Sequence, residues 1–157
     1  MPFQLSTKGR YGVRAVSHLA LVYDKGAISL RELASEEQIP LRYLEQIMNR
    51  LRKRGIVDST RGRHGGYRLS GPPESLTIAR IIESVEGEIR VVHCLDVEED
   101  SCERAGYCIS KQLWEHLNAK ILSFLNSVTL QDLVEKTERR RSGAQQTKEE
   151  SDESLSG

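Results

Sequence analysis

The chain has 157 residues, 38% of them hydrophobic, and its 23 Lys and Arg balance 23 Asp and Glu. That length fits one domain with an appendage; no apolar run of about eighteen residues, the span of a bilayer, is present, so no membrane-crossing helix is expected. The zero net charge hides an asymmetry, with 13 basic against 6 acidic side chains up to Ser70 and 10 against 17 beyond it, a basic half suited to a polyanion.

Met1–Lys8 holds neither a long apolar stretch nor a small-residue cleavage site. It predicts no secretory signal, and a reducing cytoplasm is the expected setting. A first helix is expected from about Ser6 to Lys25, with Val13, Val16, Leu19, Ala20 and Tyr23 at helical spacing and Gly26 as its stop. Ser29 and Glu32 form a capping-box pattern that opens a second helix, with Leu30, Leu33 and Ala34 inward. After the turn Gln38-Ile39-Pro40 a third helix opens near Pro40, which suits a first helical position. Its Leu44, Ile47, Met48 and Leu51 follow i, i+3, i+4, i+7, and Gly55 ends it.

Ile56–Thr60 and Tyr67–Ser70 read as two short strands around the glycine-rich turn Arg61-Gly62-Arg63-His64-Gly65-Gly66, hence a hairpin. Thr77 caps a further helix with Ile78, Ile81, Ile82 and Val85 on one face, ending at Gly87. From Glu88 to Cys108 no period is visible. A long helix is then expected from about Ile109 to Val128, where Trp114, Leu117, Ile121, Phe124 and Val128 make a coiled-coil-like dimerisation seam widened by Leu113, Leu122 and Leu125. Thr129 and Asp132 cap one more helix through about Lys136, and the aperiodic polar run from Glu138 onward is expected to be disordered.

This order is that of a mainly α chain with a small β-hairpin wing: a winged helix-turn-helix domain plus a long dimerisation helix. In that architecture the third helix enters the major groove and the hairpin lies along the backbone or in the minor groove. Basic residues concentrate on those two elements. The third helix carries Arg42, Tyr43, Glu45, Gln46 and Arg50 away from its apolar face and closes on Arg52, Lys53 and Arg54. The hairpin tip adds Arg61, Arg63 and His64. Arg bonds guanine O6 and N7 bidentately, Gln does the same with adenine, and Glu45 accepts from cytosine N4 or repels wrong bases. Arg61 on a thin tip suits a narrow minor groove, while Gly62, Gly65 and Gly66 permit positive φ and close approach to phosphates. Tyr43 can also be read as partly core. Double-stranded DNA carrying a palindromic operator, bound by a homodimer, is therefore the expected partner. No Cys–His–Asp order or phosphate-binding glycine loop is present, so no enzyme is expected.

The three cysteines, Cys94, Cys102 and Cys108, fall within fifteen residues of the acidic half, spaced Cys-x7-Cys-x5-Cys. An odd count in a reducing compartment argues against a disulfide framework, and the clustering argues for a metal or redox site. Three thiolates can hold zinc or an iron–sulfur cluster; a structural zinc or a thiol redox switch on the same fold is the alternative reading.

The residues from Leu5 to Lys136 resemble the IscR and NsrR type of bacterial iron–sulfur transcription regulators. The resemblance rests on Ser6-Thr7-Lys8-Gly9-Arg10-Tyr11, on Tyr43-Leu44-Glu45-Gln46 and on Leu51-Arg52-Lys53-Arg54-Gly55-Ile56-Val57. The wing Arg61–Tyr67, the three cysteines and Phe124-Leu125-Asn126-Ser127-Val128-Thr129-Leu130 complete it. It implies a homodimer regulating genes in response to cluster supply, iron or nitric oxide, with an iron–sulfur cluster, 2Fe–2S ahead of 4Fe–4S, on Cys94, Cys102 and Cys108 and a fourth, non-cysteine ligand. Two positions depart from the family pattern: the first gap is seven rather than five, and Lys111 stands where IscR-like proteins carry a ligating histidine. The fourth ligand is thus open between His93, a carboxylate among Asp96, Glu98, Glu99 and Asp100, and a residue of the partner subunit. The expected organisation is residues 1–87 for DNA binding, 88–108 as the cluster loop, 109–137 for dimerisation and the C-terminal helix, and 138–157 as a tail.

Overall fold

The computed structural model describes residues 5–92, 95 and 107–153. Among them are six α-helices and one two-stranded sheet: α1 Thr7–Leu21, α2 Leu30–Glu36, α3 Leu41–Lys53, β1 Val57–Thr60, β2 Gly66–Leu69, α4 Ile78–Glu86, α5 Lys111–Ser127 and α6 Leu130–Glu153. The expected mainly helical fold with a hairpin wing is the observed one. None of these helices is long and apolar enough to cross a membrane.

Each of the first two helices starts where a hydroxyl can satisfy the unpaired amides of its first turn. Ser6 Oγ accepts from Gly9 N–H at 3.3 Å and Ser29 Oγ from Glu32 N–H at 3.2 Å. α1 is shorter than expected: it closes at Leu21, and a separate 3-10 turn covers Tyr23–Lys25 before Gly26 at φ 94°. Pro40 also differs from expectation. Its ψ of 127° is extended, so it precedes the helix as the cap, and its carbonyl accepts from Tyr43 and Leu44 N–H, both at 2.9 Å. α2 ends through Gln38 at φ 50°, left-handed backbone without a glycine; the bonds Gln38 N–H to Ser35 O and Ile39 N–H to Ala34 O hold that tight corner between α2 and α3.

The α3 stripe Leu44, Ile47, Met48 and Leu51 is buried as its spacing predicts and meets Val16 and Leu19 of α1, Leu33 of α2 and Ile81 and Val85 of α4 in one core. Removing side chains of this size from water is worth about 1.5–3 kcal/mol each, which fixes α3 on the body and leaves its opposite face outward. β1 and β2 pair antiparallel, with Val57 opposite Leu69 and Thr60 opposite Gly66. The wing is tied down by a second pairing, Ile28 N–H to Tyr67 O at 3.0 Å and Tyr67 N–H to Ile28 O at 2.8 Å.

The core does not stop at Gly87. Leu130 is fully buried within it, and its N–H bonds Leu76 O at 2.9 Å while Ile78 N–H bonds Val128 O at 2.9 Å. The C-terminal segment thereby forms a bridge across Thr77 and Thr129 and is part of the body. α6 runs on to Glu153, through residues expected to lack structure. Its polar stretch has no apolar period; a pair one turn apart supports it, Arg139 meeting Glu135 at 3.2 Å, while Ser142 Oγ turns back on its own helix and donates to Glu138 O at 3.1 Å.

Candidate nucleic-acid interface and cysteine segment

Two polar clusters fix how α3 is presented. Glu37, at the end of α2, takes Arg14 Nε at 3.2 Å and faces His18 Nδ1 at 2.8 Å, tying α1 to the corner before α3. Tyr43 meets Tyr11 edge-to-face at 5.8 Å, and the Arg14 guanidinium carbon lies 5.6 Å from the Tyr11 ring centre. Tyr43 is half-buried, and its ring braces α3 on α1. Spacing alone did not reveal either cluster, because the partners come from separate helices.

The outward face of α3 exposes Arg42, Glu45, Gln46, Arg50, Arg52 and Lys53. Two of the arginines turn to the protein. Arg50 Nη1 donates to Val85 O at 3.0 Å, neutralising a carbonyl at the end of α4. Arg52 Nη1 donates to Ser59 Oγ at 3.3 Å and so links α3 to the wing. Arg42, Glu45, Gln46 and Lys53 form no hydrogen bond or ion pair among the described residues and are available to a ligand.

At the wing tip Arg61, Arg63 and His64 are all exposed. The glycines of this turn serve different ends from those expected. Only Gly62 takes positive φ, 112°. Gly66 instead permits close approach: a Cβ there would sit 2.1 Å from the Ile28 carbonyl oxygen, in the pairing that anchors the wing.

Of the cysteine segment, Cys108 is described; Cys94, Cys102, His93, Asp96, Glu98, Glu99 and Asp100 lie outside the described residues. Cys108 is half-buried just ahead of α5, with its Sγ 3.3 Å from Ser110 Oγ and its carbonyl accepting Lys111 N–H at 3.2 Å. Lys111 lies 3.9 Å from Glu115. The near end of the segment is fastened to α5, since Val91 N–H donates to Asn118 Oδ1 at 3.0 Å. Three thiols are soft donors that suit an iron–sulfur cluster, and the hydroxyl beside Cys108 is a group that supports a deprotonated sulfur; the donor chemistry fits.

No residue of α5 is fully buried. The expected seam divides between two faces. Trp114, Ile121 and Val128 are half-buried, with Leu125 and Val128 packed on the core. Leu113, Leu117 and Phe124 are 59%, 41% and 65% exposed, and Ile109 before them is fully exposed.

A model of the Rrf2 family, described as an iron-dependent transcriptional regulator, matches residues 5–136. The chain is 43% identical over 138 residues to a Haemophilus influenzae protein assigned as an HTH-type transcriptional regulator, covering 88% of this chain and 91% of the relative. It is similar in structure to T. potens IscR, with a TM-score of 0.74, 33% identity and coverage of 89% of this chain and 92% of the other. It is similar also to CymR, the global cysteine regulator of B. subtilis, with a TM-score of 0.71, 35% identity and coverage of 85% and 97%.

Proposed function

The chain belongs to the Rrf2 family of transcriptional regulators, a family of regulators and not of enzymes, and we propose that it is a homodimeric, sequence-specific DNA-binding regulator that senses iron–sulfur status through Cys94, Cys102 and Cys108. Residues 1–87 carry DNA binding, 88–108 the sensing loop and 109–137 the dimer contact. The observation that carries the reading is the juxtaposition at α5: Cys108 stands at one end of a helix whose apolar face is left uncovered and whose other end is bonded into the core of the DNA-binding body.

Gln46 and Arg42 face base edges from α3, with Glu45 rejecting or selecting among them. Arg61, Arg63, His64, Gly65 and Gly66 bring the wing against the neighbouring groove and backbone, and Lys53 adds a phosphate contact. Arg50 and Arg52 hold α3 against α4 and the wing while remaining close to the phosphates. A bound cluster would be held by Cys94, Cys102 and Cys108 and would supply fixed bonds to their sulfurs. Asn118 holds Val91, ahead of the first cysteine, on α5, and the bonds of Val128 and Leu130 to Ile78 and Leu76 pass the position of α5 to α4 and so to α3. Leu125 and Val128 seat α5 on its own body, while Leu117 and Phe124 meet the second copy.

Iron, sulfide and zinc content and the visible absorption of protein purified without oxygen test the cofactor. Iron with sulfide and a brown chromophore that Cys102→Ala loses supports the reading, with 2Fe–2S expected over 4Fe–4S. Three clustered cysteines also admit a second reading, a thiol switch on the same fold; a colourless metal-free protein whose operator affinity changes on oxidation selects it. If holo and apo protein bind every operator equally at matched salt, the cysteines are not the allosteric input.

A further inference from the structure

Four described helices begin with a hydroxyl that caps the helix's own first turn: Ser6 for Gly9, Ser29 for Glu32, Thr77 for Arg80 and Thr129 for Asp132, all between 3.2 and 3.3 Å. Ser110 occupies the same position ahead of α5, yet its side chain caps nothing. Its backbone is helical, φ −87° and ψ −6°, where a capping residue is extended. The hydroxyl is turned away from the amides of the first turn and lies 3.3 Å from Cys108 Sγ. The carbonyls of Cys108 and Ser110 meanwhile accept from Lys111 and Trp114 N–H, both at 3.2 Å, so the backbone holds the two side chains in this relation.

A metal-bound cysteine is a thiolate, which can accept hydrogen bonds and cannot donate them; a serine hydroxyl beside it has a proton to give. Resting on the cluster reading above, we propose that Ser110 is a positioning residue for Cys108, its hydroxyl donating to the sulfur. Such a bond draws electron density from the sulfur and favours the reduced cluster, so it raises the reduction potential. The position that would ordinarily start α5 is thereby given to the sensing site.

The test compares wild type with Ser110→Ala, which loses the donor, and Ser110→Thr, which keeps it. In anaerobically reconstituted full-length protein, Ser110→Ala is expected to retain iron and sulfide at the wild-type ratio with a midpoint potential shifted to more negative values, and Ser110→Thr to restore it. The apo Tm should be unchanged in Ser110→Ala, since no capping bond is lost. An unchanged potential together with a lowered apo Tm makes Ser110 a helix cap and overturns the proposal. Loss of the cluster in Ser110→Ala with recovery in Ser110→Cys makes the oxygen a ligand and overturns it equally. Should wild type bind no iron, the cluster reading fails by itself, and the pair is read in the apo protein: alkylation of Cys108 by iodoacetamide, followed by peptide mass mapping, slows in Ser110→Ala and recovers in Ser110→Thr if the contact holds. Identical rates in all three proteins reject it.

Discussion

Arg52 and Gln46 are both exposed on α3, but their surroundings assign them different work. Arg52 is bonded to Ser59 on the wing, whereas Gln46 has no protein partner among the described residues and projects outward. Gln46→Ala and Arg61→Ala should each cost about 1–3 kcal/mol at one operator position and leave binding to random DNA nearly unchanged. Lys53→Ala should weaken all sequences alike and reduce the salt slope by about one unit. Equal losses on operator and random DNA for both Gln46→Ala and Arg61→Ala would remove the case for direct readout. Gly66 is constrained by space alone, with the Ile28 carbonyl oxygen 2.1 Å from where a methyl would stand. Gly66→Ala must break the Ile28–Tyr67 pairing or move the wing. It should cost about 1–3 kcal/mol, as forced overpacking does, read as a lowered Tm, and weaken operator and random DNA together; an unchanged Tm would mean that the wing moves freely.

Helix α3 was legible from sequence because one period set both its buried stripe and its basic face. The wing was legible from its glycines, although the reason for Gly66 was not, since Ile28 lies far away in the chain. α6 was legible as far as about Lys136. The Thr129–Asp132 cap is there, with Asp132 Oδ2 accepting Thr129 N–H at 2.8 Å and Asp132 N–H donating to Thr129 Oγ1 at 3.2 Å. The burial of Leu130 depends on a bridge to Thr77 that no local period encodes, and beyond Lys136 α6 has no apolar period in the sequence to announce it. The cap carries an acid sensitivity. The Thr129 N–H, then the Thr129 hydroxyl, hold the Asp132 carboxyl below its ordinary pKa, with Lys136 adding a smaller share. A carboxyl so depressed stabilises the folded state above the unfolded-state value of about 4 and loses that contribution as pH falls through the lower folded value. Wild type should therefore exceed Asp132→Asn in stability at pH 6, and the gap should close below about pH 4. Denaturant titrations followed by the emission of Trp114, the single tryptophan, can measure it; a gap independent of pH would assign the cap's worth to geometry rather than charge.

For the molecule as a whole, the decisive feature is that α5 is bound at both ends and bare along one side. Asn118 and Cys108 join it to the sensing segment, and Val128 and Leu130 join its far end to the core. Between them Leu113, Leu117 and Phe124 leave large apolar surfaces in water, at spacings of four and seven residues that keep them on one helical face. A contiguous face of this kind marks an interaction surface, and a two-fold partner fits because a regulator that reads a palindromic operator needs two recognition helices in fixed relation. Leu117→Asp with Phe124→Asp places charge on that face without touching the half-buried residues that seat α5 on its own body. Light scattering should give the wild type about twice the 17.8 kDa chain mass and the variant a single chain mass. The Tm at low protein concentration should stay close to wild type if the body folds independently of the contact. Affinity for an isolated half-site should survive while affinity for the full palindrome falls, because the second recognition helix no longer arrives with the first. A variant that keeps the wild-type mass, or a wild type that is monomeric on and off DNA, would sink the dimer and require coupling between the cysteines and α3 to run within one chain.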